Sequence, residues 1–132
     1  MGASISLTGR DVEALDGVKN SISKACDTKI NTFAFDVTDA EAIKNIVAKS
    51  IESLGPVNIL VNNAGAATSA PFMKTDLKSW QSLLDINLTG PYLLTQAVLP
   101  GMLEAKSGRI INVAATAGMI GYSYVAPYVA SK

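Results

Sequence analysis

The sequence predicts an α/β protein built as a doubly wound parallel sheet with helices on both faces. Three observations carry that expectation. Short runs rich in β-branched residues alternate with longer stretches of helical period. Two of those runs, "VNILVNN" and "GRIINVAA", show little polar alternation, as parallel strands covered on both faces do. Polar residues gather just after the runs, where open α/β sheets hold their ligands.

The elements follow in order. "ASISLT" (3–8) reads as a short strand. "RDVEALDGVKNSISKA" sets Val12, Leu15, Val18 and Ile22 at helical spacing, although Gly17 weakens the helix. "NTFAFDV" (31–37) returns to strand. Thr38 and Glu41 then stand at the spacing of a capping box, and Ile43, Ile46, Val47, Ile51 and Leu54 form one apolar stripe that Gly55-Pro56 ends. After the "ILVNN" strand comes a helical region from Leu77 to Ala105, with breaks or kinks expected at Gly90-Pro91 and Pro100. The "GRIINVAA" strand and a glycine-bearing loop lead to the terminal "APYVASK".

Composition narrows the chemistry. The 132 residues suit one domain, 1–132. A hydrophobic share of 48% against 17% charged residues places the chain among folded proteins rather than disordered ones. A net charge of +0 gives no footprint for nucleic acid or an anionic membrane. With no histidine, Ser-His-Asp and Cys-His catalysis and every histidine metal site are excluded within this sequence, and the single Cys26 makes neither an internal disulfide nor a cysteine-rich zinc site. The absence of a long apolar run or a basic leader points to a cytoplasmic protein, with no metal and no membrane partner expected.

The strand order puts Arg10, Asp36, Asn62, Asn63 and the 114–118 loop on one rim of the sheet. Four motifs fall on or near that rim: "NNAG" (62–65), "DINLTG" (85–90), "GRIINVAATAG" (108–118) and "YVASK" (128–132). Each alone has a bland reading, since a Tyr and Lys four apart are usually a surface helix pair and Asn-Asn-Ala-Gly is usually a turn. Together, in this order and spacing, they make the chain resemble the short-chain dehydrogenase/reductase family of nicotinamide enzymes over essentially its whole length. Within that family it looks most like the 3-oxoacyl reductases.

The resemblance implies roles residue by residue. Tyr128 matches the general acid/base, and Lys132, one helical turn on, matches the lysine that favours the phenolate and holds the nicotinamide ribose. Asn87 matches the helix asparagine that supports a water-linked proton path. Asp36 and Val37 match positions bordering the adenine, and Asn63, Ala64 and Gly65 match a bend where the cofactor passes close to the backbone. Arg10 falls just after the first strand, where an arginine suits the extra phosphate of NADP rather than the ribose hydroxyls of NAD. The implied reaction is hydride transfer between NADP(H), or NAD(H), and a small carbonyl or alcohol substrate, in a parent protein that forms dimers or tetramers partly through the helix carrying Leu93 to Met102.

Two departures qualify this. The family serine stands thirteen residues before the tyrosine, and Ala115 occupies that position. Losing one donor to the reacting oxygen typically costs about 10²–10³ in rate. Adjacent Thr116 is a poor substitute, because neighbouring side chains on extended backbone face opposite ways. The family's first strand and glycine-rich turn, and its elements after the lysine, also have no counterpart in the sequence. The expected architecture is therefore an incomplete Rossmann-like sheet in which two inner strand edges stay unpaired. The sequence thus supports a reductase that is inactive as it stands, and alternatively a catalytically dead binding or assembly module or a gene fragment without function.

Overall fold

Asp11 opens the first helix. Its carboxylate accepts the backbone N–H of Ala14 at 3.0 Å and satisfies one of the donors a helix start leaves free. The structure, a computed structural model, describes residues 2–132. Its elements are β1 (Ile5–Gly9), α1 (Val12–Ala25), β2 (Ile30–Ala34), α2 (Ala40–Leu54), β3 (Ile59–Asn62), α3 (Leu77–Leu84), α4 (Gly90–Glu104), β4 (Arg109–Asn112) and α5 (Ala126–Ser131). The strand–helix alternation read from hydrophobic period holds throughout.

Two local details differ from expectation. The cap of α2 is Asp39, whose carboxylate takes the N–H groups of both Glu41 and Ala42 at 3.0 Å. Thr38 instead donates its own N–H and hydroxyl to Asp36. Aspartate is at least as good an N-cap as threonine, so the helix starts one residue later than the capping-box spacing suggests. Pro100 does not interrupt α4. The break in the 77–105 stretch is a π-helical turn, Asp85–Thr89, which ends at Gly90.

The parallel pairs are β1 with β2, where Ile5 faces Ile30, and β3 with β4, where Asn62 faces Asn112. They do not join. The strands form two separate two-stranded sheets, as expected of a sheet without its central strand. Helices bridge the halves. Ile43 and Val47 of α2 pack with Val98 and Met102 of α4 and with Phe35 in one buried cluster, against which Leu60 and Ile110 rest from β3 and β4. Gly55, at φ 86°, closes α2 in a backbone conformation that favours glycine.

One expectation is corrected. The β3 and β4 strands are covered on one face only. Leu60 and Ile110 point into the core, while Ile59, Val61 and Ile111 on the opposite face are 61%, 53% and 48% exposed. Period-2 geometry sends alternate side chains to opposite faces, and the second face is left exposed.

Candidate active site

The site is built where β3, the π turn, β4 and α5 meet. A π turn carries one residue more than an α turn and so displaces the side chains within it. Here it holds Asn87, which is buried. Asn87 Oδ1 accepts the backbone N–H of Ala66 at 2.9 Å, and its Nδ2 donates to the Ala66 carbonyl at 2.9 Å. The side-chain amide thus reads the bend after β3 as a β-strand neighbour would. The same Nδ2 also donates to Ser131 Oγ at 2.8 Å, and Ser131 Oγ donates to the Tyr128 carbonyl at 2.9 Å. Asn87 therefore ties the 62–66 bend to α5.

Lys132 completes the cluster. Its Nζ donates to the Val113 carbonyl, just past β4, at 3.0 Å. A methyl added at Gly65 would sit 3.1 Å from Asn87 Oδ1 and 3.5 Å from Lys132 Nζ, so bend, asparagine and ammonium are in close quarters. Gly118 lies against the Lys132 backbone, which fixes the loop after β4 onto the end of α5. Beside these groups opens a cleft of about 310 Å³, bordered among others by Asn62, Ala64, Asn87, Ala114, Ser131 and Lys132.

Beneath it, Asn62 and Asn112 pair across the strand ends, Nδ2 to Oδ1 at 2.8 Å. Asn62 Oδ1 is buried without a partner among the described residues, an arrangement that usually costs about 1–3 kcal/mol.

The residues expected to bind the adenosine end form a second group. Asp36 accepts both groups of Thr38, at 2.9 Å and 2.8 Å, and these hydrogen bonds, with the Arg10 guanidinium nearby, hold its carboxyl below the usual carboxylate range. Arg10 is exposed just beyond β1. Val37 connects this group to the first, because a Cβ at Gly90 would meet the Val37 carbonyl at 2.8 Å. The two groups thus flank the start of α4.

Of the expected positions, Asn87, Ala64, Gly65 and Lys132 come together directly, with Tyr128 one turn earlier on the same short helix. Asn63 lies in the bend beside Ala64. Ala115 lies on extended backbone, φ −140° and ψ 157°, immediately before a 3-10 turn, Thr116–Gly118. The Thr116 hydroxyl is engaged with the Tyr122 hydroxyl at 3.0 Å. Sequence reasoning assigned no role to Ser131, Ala66 or Val113. The signal for Ser131 was its place inside "YVASK", but a serine in a helix is ordinarily a solvated or locally bonded residue.

Comparison with known proteins gives the family. The short chain dehydrogenase family profile matches residues 1–132. Gluconate 5-dehydrogenase from Gluconobacter oxydans (strain 621H) is 34% identical over 131 residues, covering 99% of this chain and 51% of that protein. A 3-oxoacyl-[acyl-carrier-protein] reductase from Synechocystis is 38% identical over 97 residues, covering 74% of this chain and 39% of that one. The fold superposes on a short-chain dehydrogenase from Streptomyces avermitilis with a TM-score of 0.90 at 31% identity, covering 99% of this chain and 48% of that structure. The chain thus spans about half the length of the curated relatives it matches. With the family profile matched over its whole length and the fold superposing on a solved member, the chain belongs to the short-chain dehydrogenase/reductase family.

Proposed function

We propose that the site serves an NADP-dependent oxidoreductase acting on a carbonyl or alcohol, with a 3-oxoacyl thioester as the leading substrate class. The observation that carries this reading is the Asn87 hub, which joins the bend after β3 to the helix of Tyr128 and Lys132 across 21 and 44 residues of chain. The residues fit a nicotinamide cofactor at both ends. Gly65, without a side chain, lets the bend run close to Asn87 and the Lys132 ammonium, and Arg10 with Asp36 and Val37 offers a cationic and a hydrogen-bonding edge near β1 and β2. A nicotinamide bound there supplies or accepts the hydride.

The chain's own groups do the rest. Tyr128 gives a proton to the substrate oxygen in reduction and takes it in the reverse direction. The Lys132 ammonium, anchored on the Val113 carbonyl through one of its N–H bonds, has further donors for a ribose hydroxyl or a water. Asn87 keeps the bend and the helix in register, and Arg10 favours the extra phosphate of NADP. The similarity to a 3-oxoacyl reductase supports the thioester class, while the gluconate relative marks a polyol or its keto form as the competing class.

Ala115 sets the rate. With an alanine where a hydroxyl donor is expected, the developing charge on the substrate oxygen has one donor fewer, and activity is low or absent. Ala115→Ser is expected to raise NADPH oxidation with a 3-oxoacyl thioester by about 10²-fold or more. Tyr128→Phe in that background should abolish it, and an unchanged rate in Tyr128→Phe would falsify the assignment. A second reading, a catalytically silent binding or assembly module, is favoured by Ala115, which removes the expected hydroxyl donor. Under it, no substrate is turned over with either residue at position 115.

A further inference from the structure

Ser131 lies between the two residues read as the proton-handling pair, and its surroundings are unlike those of an ordinary helix serine. Its side chain is 5% exposed and that of its partner Asn87 is 8% exposed. A serine hydroxyl that bonds back to the carbonyl three residues earlier usually does so alone, on a solvated face. Ser131 does this to Tyr128 at 2.9 Å and at the same time accepts Asn87 Nδ2 at 2.8 Å. One hydroxyl thus uses its single proton on the carbonyl of Tyr128 and a lone pair on the π turn.

The connection continues from there. Asn87 spends its remaining capacity on both backbone groups of Ala66, so the path runs from the Tyr128 backbone through Ser131 and Asn87 to the bend beside Lys132 Nζ. α5 opens without a side-chain cap, so no capping bond at its start fixes its rotation. Val125, before it, departs from helical geometry, at φ −130° and ψ 33°.

We infer that Ser131 is a positioning residue: by clasping Asn87 and the Tyr128 carbonyl together, it sets the rotation of α5 and hence where the Tyr128 phenol and Lys132 ammonium stand relative to the 63–66 bend. This rests on reading Tyr128 and Lys132 as the proton-handling pair, but it concerns geometry that exists without substrate or cofactor. A hydroxyl-bearing residue suits this buried place because alanine removes both bonds.

The test uses the 132-residue chain alone, with the ring carbon that bears the Tyr128 hydroxyl followed by NMR at one neutral pH and assigned by its loss in Tyr128→Phe. Ser131→Ala is expected to displace that signal from its wild-type position, because the helix loses both bonds. Ser131→Thr, which keeps the hydroxyl, is expected to restore the wild-type position, and Ser131→Cys, a weaker donor of similar volume, to fall between. Val98→Ala, a cavity in the distant core, should lower the melting temperature and leave the signal in place. Coincidence of the Ser131→Ala and Ser131→Cys signals with wild type overturns the inference, and so does an equal displacement by Val98→Ala. The oxidoreductase reading fails by a different result, the absence of NADPH oxidation after Ala115→Ser.

Discussion

At residue scale the structure turns on a few close approaches. Gly90 meets the Val37 carbonyl so tightly that any β-carbon requires backbone to move. Gly90→Ala is therefore expected to destabilise the fold by about 1–3 kcal/mol, measured by urea denaturation, and to weaken NADPH binding by shifting Val37. Asp36 and Asp76 are carboxyls that the fold favours in their charged form. Hydrogen bonds from Thr38 and from Ser79 respectively lower each carboxyl below its ordinary value of 3.8. A folded-state value below the unfolded one means that each contributes stability above the unfolded value and loses it as pH falls through the folded one. Melting temperature should then drop below about pH 4, and Asp36→Asn should flatten that drop; an unchanged acid limb would count against it.

At the scale of elements, capping and turn chemistry decide the boundaries. Asp11, Asp39 and Asp76 each cap a helix, and Asp39→Ala is expected to cost about 1 kcal/mol by the same denaturation assay. α2 is the keystone between the strand pairs, with Ile43 only 1% exposed in the shared cluster. Ile43→Ala should cost about 2–5 kcal/mol, enough to unfold a domain of ordinary stability. The apolar stripe on α2 was legible because helical period records burial. Its cap was not fully legible, because Thr38 and Asp39 are both good cap residues and only the backbone shows which one turns its oxygen inward. The π turn was not legible either. Gly90-Pro91 marked a break, but an added residue within a helix leaves no compositional trace, and the motif that singled out Asn87 gave no sign of how deeply it is buried.

For the whole molecule, the unjoined sheets are the dominant fact. The uncovered face of β3 and β4 carries Ile59, Val61 and Ile111, and strand edges beside an apolar face invite pairing with another chain. The 132-residue chain is expected to self-associate at micromolar concentration, and Val61→Lys to shift it toward monomer in sedimentation velocity. Sequence by itself determined the fold class, the order of the elements and the family, and it singled out Tyr128, Lys132, Asn87 and Ala115 as candidates, because period and motif spacing are properties of a line of residues. Tertiary structure decided that Asn87 is buried, that Ser131 clasps it to the Tyr128 backbone, that Thr116 is engaged with Tyr122, and that one face of β3 and β4 is bare. These depend on which partners the folded chain brings within about 3 Å, from six residues apart for Thr116 and Tyr122 to 44 for Asn87 and Ser131, and no local pattern encodes that distance.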